Sequence, residues 1–530
     1  MVDYSHFAEA PAETRGRARA LVTPSDGDIA RLVGLLFIAP NAMLAASFEW
    51  PAMALVWIGC AGAVLVMWRA RAESASVETP ANLSRLALCL AFGFLICLIG
   101  GEGHFFYTER DWLVRDAVLA DLVRSGASTL YREGAVDYVM RAPLGIYLLP
   151  SVVGRIAGLA AAHVAFLFQN ATIVGATCYF VVTIAGDIGR ARKAALLLVF
   201  MGFSGLDIMP ILAAEANELL HGAPFLHFQH TEWWALYFSP VRMHYPSHIT
   251  LLFWATNHMA PGWWFAILSL LYVRGIVAFA VLPISFAALL LWSPLAMMGA
   301  APLLAYFTLE RLARRAVERW DIAAIGVGLA FLPVAAYLTI DSGDVAKEWL
   351  LWREGFLTNY LLLLVFEAPQ AGIVIYAWRR VEPCDRRLLA LALGLLLVLP
   401  FYSIGLYNDF TMRASIAPLF ILSVVFARIA VTTPRDGGRL ASAISSIVLI
   451  SAATPLIEMK VTLTAGRFEA SDCNLLTAWR KNEPTASPAH YLARVEAAPA
   501  WLMRPRSGET NLQEERKCWP DHPLLPEELK

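Results

Sequence analysis

The sequence predicts an all-α membrane protein with about thirteen transmembrane helices. Of its 530 residues, 58% are hydrophobic and only 16% are charged, and the mean hydropathy is +0.56. Soluble domains carry about 25% charged residues. The apolar residues form thirteen runs, most of them near the length of about 20 residues that crosses a bilayer core. The net charge of −1 provides no long-range field for nucleic acid, so a nucleic-acid-binding function is excluded.

The predicted elements begin with a polar arm over residues 1–29, which has no secretory signal and is expected in the cytoplasm. A transmembrane hairpin covers 30–68, and the main transmembrane domain covers 86–457. The predicted spans are 30–48, 51–68, 86–101, 163–186, 194–212, 249–273, 276–292, 295–311, 322–340, 358–378, 388–406, 412–431 and 440–457.

Clusters of Lys and Arg fix the predicted orientation, because short cytoplasmic loops are enriched in both residues. With the spans above, all the clusters lie on one side; they fall at 69–85, 190–193, 311–319, 379–387 and 428–439. The loops 102–162 and 213–248 and the tail 458–530 then face the periplasm, across the inner membrane of a bacterium. An apolar segment at 143–158 is short and contains Pro150 and Arg155. We therefore predict an interfacial helix there rather than a further span.

Cysteines occur both in the apolar runs and in the polar tail. Cys60, Cys89, Cys97 and Cys178 lie in apolar runs and are expected to be small buried side chains. Cys473 and Cys518 lie in the tail. A periplasmic tail is compatible with a disulfide between them, although their spacing does not prove the pairing.

The first candidate site follows the span 86–101, in the segment GEGHFFYTERD. Glu109 and Asp111 form an acidic pair at the predicted membrane boundary, where burial turns a carboxylate into a general base. His104 and Asp116 flank the pair and are candidates for binding the substrate. The alternative for these acids is helix capping on a solvated face.

Further ionisable residues lie at the ends of, or inside, predicted spans. Asp207 stands among apolar residues in FSGLDIMP, where a charge is costly unless it faces a cavity or a partner, and it is a second candidate catalytic acid. Glu367 is a third intramembrane acid, with either a functional or a packing role. Asn257 and His258 precede a Pro-Gly kink, and His258 is a candidate cavity-lining residue.

Two more segments offer ligand-binding side chains. In GLYNDFTMRASI, Asn408 and Asp409 precede Arg413, whose planar donors suit a phosphate; a structural Asp409–Arg413 pair is the alternative. The loop 213–248 is rich in histidine, and structural, substrate-lining and metal-binding roles all stay open for it. Its histidines are His221, His227, His230, His244 and His248.

The order of these segments resembles the GT-C superfamily of membrane glycosyltransferases, which use sugars linked to polyprenyl phosphate. The resemblance covers roughly residues 86–460: an acidic first loop, the PLGIYLLP helix, two spans joined by GDIGRARKA, a second acid, and an NDFxMRxSI-like segment at 408–416. The hairpin 30–68 departs from the pattern. The resemblance implies a GT-C-like fold and transfer of a sugar, with inversion, at the periplasmic face to a glycan, lipid or protein acceptor.

Carried onto this sequence, the resemblance implies that Asp111 is the base, with Glu109 beside it. Asp207 then matches the second-loop acid, and Arg413 is the candidate for the donor phosphate. A divalent metal stays open. Two other functions also stay open: a transporter or flippase of lipid-linked substrates, and a polysaccharide polymerase or ligase that uses periplasmic Arg and His.

Overall fold

A computed structural model describes residues 24–70, 80–221, 231–237, 241–405, 407–434, 436–471, 473–503, 510–511, 518–519 and 521–524. The chain is all-α, with 70% of its residues in helices. The first helices are α1 (Asp26–Ala45), α2 (Trp50–Arg69), α3 (Leu83–Ile99), α4 (Trp112–Arg124), α5 (Gly145–Ala157), α6 (Leu159–Ile184), α7 (Arg190–Met201), α8 (Ile208–Leu220), α9 (His248–Trp254), α10 (Thr256–Tyr272) and α11 (Val281–Leu289). They are followed by α12 (Pro294–Ala313), α13 (Arg319–Leu329), α14 (Leu332–Thr339), α15 (Phe356–Phe366), α16 (Pro369–Tyr376), α17 (Arg386–Val398), α18 (Asp409–Ala414), α19 (Ile416–Thr432), α20 (Gly438–Ser451), α21 (Ala453–Thr464) and α22 (Leu475–Asn482).

Helices occupy all thirteen predicted runs, although several are interrupted. Among the described residues, five helical segments are long and apolar enough to cross a membrane, and a sixth is obtained if α15 and α16, bent by 59°, form one span. The chain is therefore a membrane-associated protein. The five segments are α1, α2, α6, α13 with α14, and α20 with α21.

The interruptions have local causes. The predicted span 194–212 divides at Gly202–Asp207, between α7 and α8, and the predicted span 249–273 divides at Ala255, whose backbone leaves the helical region with φ −137°. The bend between α15 and α16 precedes Pro369, which lacks the backbone N–H that would continue the hydrogen-bond ladder. These breaks place polar residues such as Asp207 at helix ends rather than within continuous helices.

Residues 143–158, predicted as an interfacial helix, form α5, which is shorter than a span. The helix packs against α4 and α6. Its opposite surface exposes Val152, Val153 and Ile156. An amphipathic helix of this length fits the prediction, and its position at a membrane interface stays a prediction.

The core contains close helix contacts at small residues. A Cβ atom on Gly93 of α3 would lie 2.6 Å from the backbone nitrogen of Gly175 on α6. No side chain fits at that distance, so glycine lets the two backbones approach as small residues do in membrane helix pairs. Cys89, Cys97 and Cys178, in the same two helices, are buried as expected, and so is Cys60 in α2.

Two small sheets were missed by the sequence analysis. The strands are β1 (Leu130–Glu133), β2 (Val136–Met140), β3 (Lys347–Trp349), β4 (Tyr402–Ile404), β5 (Leu492–Arg494) and β6 (Thr510–Asn511). One sheet has the order β5-β2-β1-β6 and joins the loop 102–142 to the tail; β3 and β4 form the other. A Cys473–Cys518 disulfide ties the tail together. The described part of the tail therefore folds against the first loop.

Candidate functional site

A cavity of about 160 Å³ lies where the first loop, the loop 213–248, the segment 407–413 and the tail meet. Three of the predicted site residues line it: Asp111, Asp409 and Arg413. Its polar lining also includes Glu232 and His244, from the second loop, and Glu483 and His490, from the tail. Trp254 and Leu251 of α9 belong to its apolar lining.

Asp111 precedes α4 and faces the cavity, with 53% of its side-chain surface open. Arg115, one turn along α4, donates from Nη2 to Asp111 Oδ2 at 3.2 Å. Surrounding protein raises the pKa of Asp111 above its ordinary range, whereas Arg115 and Arg413 lower it and Asp409 raises it. Asp111 thus combines an open carboxylate with a strengthened basicity.

The helix α4 holds this carboxylate rigidly. Trp112 donates its indole N–H to the carbonyl oxygen of Phe253 at 2.8 Å, which fixes the beginning of α4. Near the end of α4, Asp121 accepts hydrogen bonds from the Tyr131 hydroxyl and from the backbone N–H of Leu475. The tail therefore anchors the helix that presents Asp111.

Arg413 approaches the same cavity from α18. Its Nη2 lies 2.8 Å from Asp409 Oδ1, so the structural pair considered from the sequence is present. The pair leaves other donors unused, since Arg413 Nε and Arg115 Nη1 are buried without a hydrogen-bond partner among the described residues. Arg413 lines the cavity, whereas Arg115 contacts Asp111 without lining it, so Arg413 is the guanidinium placed to bind an anionic ligand such as phosphate.

Asn408, a predicted substrate-binding residue, positions this helix. Its backbone is left-handed, with φ 58°, and its side chain accepts from the N–H of Thr411 as the helix cap. The Asn408 amide also donates to the carbonyl oxygen of Arg242 at 2.9 Å. In the structure, Asn408 fixes the start of the helix that contains Asp409 and Arg413.

Burial favours the neutral form of the two cavity histidines. Burial lowers the pKa of His244 to about 4, and burial also lowers the pKa of His490. A neutral imidazole both accepts and donates one hydrogen bond, which suits sugar hydroxyls. His490 was missed from the sequence, because only the fold of the tail brings it to the cavity.

Asp207 lies in a separate, closed group of acids. It is 1% exposed, and its Oδ2 accepts from the hydroxyls of Ser204 and Thr454, both at 3.0 Å. The carboxyl groups of Glu367 and Glu232 are close enough to interact with it electrostatically. Because Glu232 also lines the cavity, this group adjoins the site, whereas Asp207 itself is not among the lining residues.

Glu109 turns inward, although it is only two residues from Asp111. It is 2% exposed, and its Oε1 has no partner among the described residues. Burial, followed by the charge of Asp111, raises the pKa of Glu109 to about 8. Glu458 interacts with it, and the Oε2 of Glu458 accepts from the indole of Trp254 at 2.8 Å.

The remaining predicted residues lie away from the cavity lining. His258 contacts Ser293 Oγ at 2.8 Å through its Nδ1 and is buried. His104 and Asp116 contact each other, with 3.1 Å between His104 Nε2 and Asp116 Oδ1. His227 and His230 lie outside the described residues.

Comparison of the chain with protein-family models, curated proteins and solved structures gives no match.

Proposed function

We propose that this protein is a membrane glycosyltransferase that moves a sugar from a polyprenyl-phosphate donor to an acceptor at the periplasmic face, in the synthesis of an envelope glycan or glycolipid. The observation that supports the proposal is the meeting of the open carboxylate of Asp111 with the guanidinium group of Arg413 at one cavity. A lipid-phosphate sugar needs both functions in one place: a base for the acceptor and cations for the leaving phosphate.

In the proposed reaction, an Asp111 oxygen accepts the proton of an acceptor hydroxyl. The hydroxyl oxygen attacks C1 of the sugar, and the bond between C1 and the phosphate oxygen breaks. The electron pair leaves with the polyprenyl phosphate, whose negative charge Arg413 stabilises. Attack opposite to the leaving group inverts the configuration at C1. Proton transfer to a positioned side chain contributes a rate factor of about 10² to 10⁴.

The proposed topology keeps thirteen spans, a GT-C-like arrangement and a tail in the periplasm of a bacterium. The Cys473–Cys518 disulfide supports this side for the tail, because disulfides persist in the oxidising periplasm and are rare in the cytosol. The location of the proposed site supports it as well. The cavity is built from the first loop, the second loop and the tail, all of which the charge pattern assigns to one side.

The proposal is tested by retention of undecaprenyl phosphate. We expect wild-type protein in detergent to retain the added lipid in native mass spectrometry and Arg413→Ala to bind it at least about tenfold more weakly, since a charge-assisted hydrogen bond contributes about 1.5–3 kcal/mol. Arg353→Ala is the matched control, because Arg353 is an exposed arginine in an ion pair with Glu348, away from the cavity lining. Equal retention by wild type and Arg413→Ala would contradict a phosphate site at Arg413.

A polysaccharide polymerase or ligase is the second candidate, because His244 and His490 line the same cavity. That reaction uses the same class of lipid donor with a histidine in the catalytic role. Loss of transfer in His244→Ala together with retained transfer in Asp111→Asn would favour it over the first proposal.

A further inference from the structure

Two histidines and an aspartate that are far apart in the sequence meet behind α4. His104 ends a 3₁₀ turn after α3, Asp116 lies in α4, and His163 lies in the first turns of α6. Asp116 Oδ1 is 3.1 Å from His104 Nε2 and 4.0 Å from His163 Nδ1. One ligand atom from each of the three residues lies within 4.8 Å of the other two.

Asp116 and His163 are buried and His104 is partly buried, yet most of their polar atoms have no hydrogen-bond partner among the described residues. Asp116 is 1% exposed and His163 is 3% exposed. Among the described residues, no hydrogen bond reaches either ring nitrogen of His163, Asp116 Oδ2 or His104 Nδ1. A buried polar group without a partner costs about 1–3 kcal/mol, so three such residues together are costly unless something else binds them.

Two other buried histidines each have a hydrogen-bond partner at Nδ1, although Nε2 of His248 has none among the described residues. His248 lies 2.7 Å from the carbonyl oxygen of Phe200 through its Nδ1, and His258 contacts the hydroxyl of Ser293. Each of these rings has a polar partner that fixes it. In His163, Nδ1 lies 4.0 Å from the carboxylate oxygen Oδ1 of Asp116. The rings of His104 and His163 meet edge to face, with 4.6 Å between their centroids.

We propose that His104, Asp116 and His163 bind a divalent transition-metal ion of the Zn²⁺ class. Two imidazole nitrogens and one carboxylate oxygen form a ligand set that zinc favours, with bonds of about 2.0–2.2 Å. Such bonds place tetrahedral ligand atoms about 3.4 Å apart. Small side-chain rotations bring the three residues from their present separations to that distance, and a fourth position is left for water.

The metal would join three elements that hold Asp111. It would connect the turn after α3 with the helices α4 and α6. In α4, Asp116 directly follows Arg115, and Arg115 donates a hydrogen bond to Asp111. We assign His104, Asp116 and His163 a positioning role through the metal, because none of them lines the cavity. The metal assignment rests on these ligand contacts and does not depend on the proposed transfer reaction.

The test is metal content, measured by mass spectrometry of protein purified without a His tag, loaded with Zn²⁺ and desalted. We expect about one ion per chain in wild type and at least a tenfold lower content in His163→Ala and in Asp116→Asn. His221→Ala is the control for adventitious surface binding, since His221 is exposed and should leave the content unchanged. Equal metal content in wild type and His163→Ala would overturn the site, and so would a wild type that retains no Zn²⁺.

Cobalt substitution provides a second readout that does not require activity. Co²⁺ bound by two imidazoles and a carboxylate absorbs visible light, and we expect the bands to disappear in His163→Gln, which keeps much of the side-chain volume. Zn²⁺ should also raise the melting temperature of wild type but not that of His163→Gln. Visible bands or thermal stabilisation that survive in this variant would contradict the assignment. Neither measurement uses a sugar donor, so failure here is distinguishable from failure of the glycosyltransferase proposal.

Discussion

Asp111 and Asp207 were both predicted from the sequence as acids on the outer face, and the structure gives them opposite surroundings. Asp111 opens onto a cavity that Arg413 also lines, and Arg115 contacts its carboxylate from α4. Asp207 is 1% exposed, accepts hydrogen bonds from two hydroxyl groups and lies near two other carboxyl groups. Their positions along the chain do not distinguish them, but their neighbours do.

The difference favours Asp111 over Asp207 as the base of the proposed reaction. Cations near Asp111 favour its charged form, and the open volume admits an acceptor hydroxyl. Around Asp207, neighbouring carboxyl groups cannot all ionise without water, so protons must be shared within the group. The hydrogen bond from Thr454 to Asp207 joins the start of α8 to α21, and Asp207 itself does not line the cavity.

The largest contrast is expected in turnover. Asp111→Asn should reduce transfer by at least about 100-fold, because it removes the base, while Asp207→Asn keeps transfer within about threefold. The measurement is the rate of polyprenyl phosphate release from added polyprenyl-phosphate sugars. Asp137→Asn is the control, since Asp137 is an exposed acid in the same loop, paired with Arg132. A loss in Asp207→Asn as large as that in Asp111→Asn would place Asp207 back in the reaction.

The helical fold could be predicted because apolar periodicity and run length are local properties. Every predicted run contains a helix, and the segment 143–158 forms a separate short one. The small sheet could not be predicted, because β1 pairs with β2 nearby but also with β6 in the distant tail. Strands of two to five residues carry too little pattern to reveal such a pairing.

The site was predictable only where its residues lie in short motifs. Asp111, Asp409 and Arg413 stood out because charged residues at the ends of apolar runs are unusual, and all three line the cavity. His490 lies in a polar tail where a histidine is unremarkable. His163 stands at the start of a predicted span, far from His104 and Asp116, so only the packing of α6 against the turn after α3 reveals their meeting.

A smaller contrast between the two acids is expected in stability. Asp207→Ala removes the acceptor of the Ser204 and Thr454 hydroxyls, and relief of carboxylate repulsion offsets part of the loss, so we expect a destabilisation of about 1–2 kcal/mol. Asp111→Asn keeps an oxygen that accepts from the buried Arg115 and should cost less than about 0.5 kcal/mol. Melting temperatures in one detergent measure both, with a change of about 1 °C per kcal/mol for a chain of 530 residues. A greater loss in Asp111→Asn than in Asp207→Ala would show that the open position of Asp111 has been misassigned.

The smallest contrast concerns Glu109, which is adjacent to the open site but closed like Asp207. Its folded-state pKa of about 8 lies above the unfolded value of about 4.3, so the protonated form stabilises the fold. That contribution is complete below about pH 4.3 and is lost as the pH rises through about 8. The free energy of unfolding of the wild type should therefore decrease between pH 5 and pH 8, by on the order of 1 kcal/mol. The decrease is limited because Glu109 and Glu458 interact, so that a proton shared between them relieves part of the repulsion.

Glu109→Gln mimics the protonated form and should flatten this part of the stability curve, making the variant more stable than wild type at pH 8. Glu354→Gln is the matched control, because Glu354 is exposed and its substitution should leave the wild-type slope intact. Denaturation midpoints at pH 5, 6, 7 and 8 measure the slope. If the Glu109→Gln curve follows that of wild type, Glu109 is ionised in the folded protein and water reaches it. Glu109 and Asp111, which are separated only by Arg110, would then both be open to water.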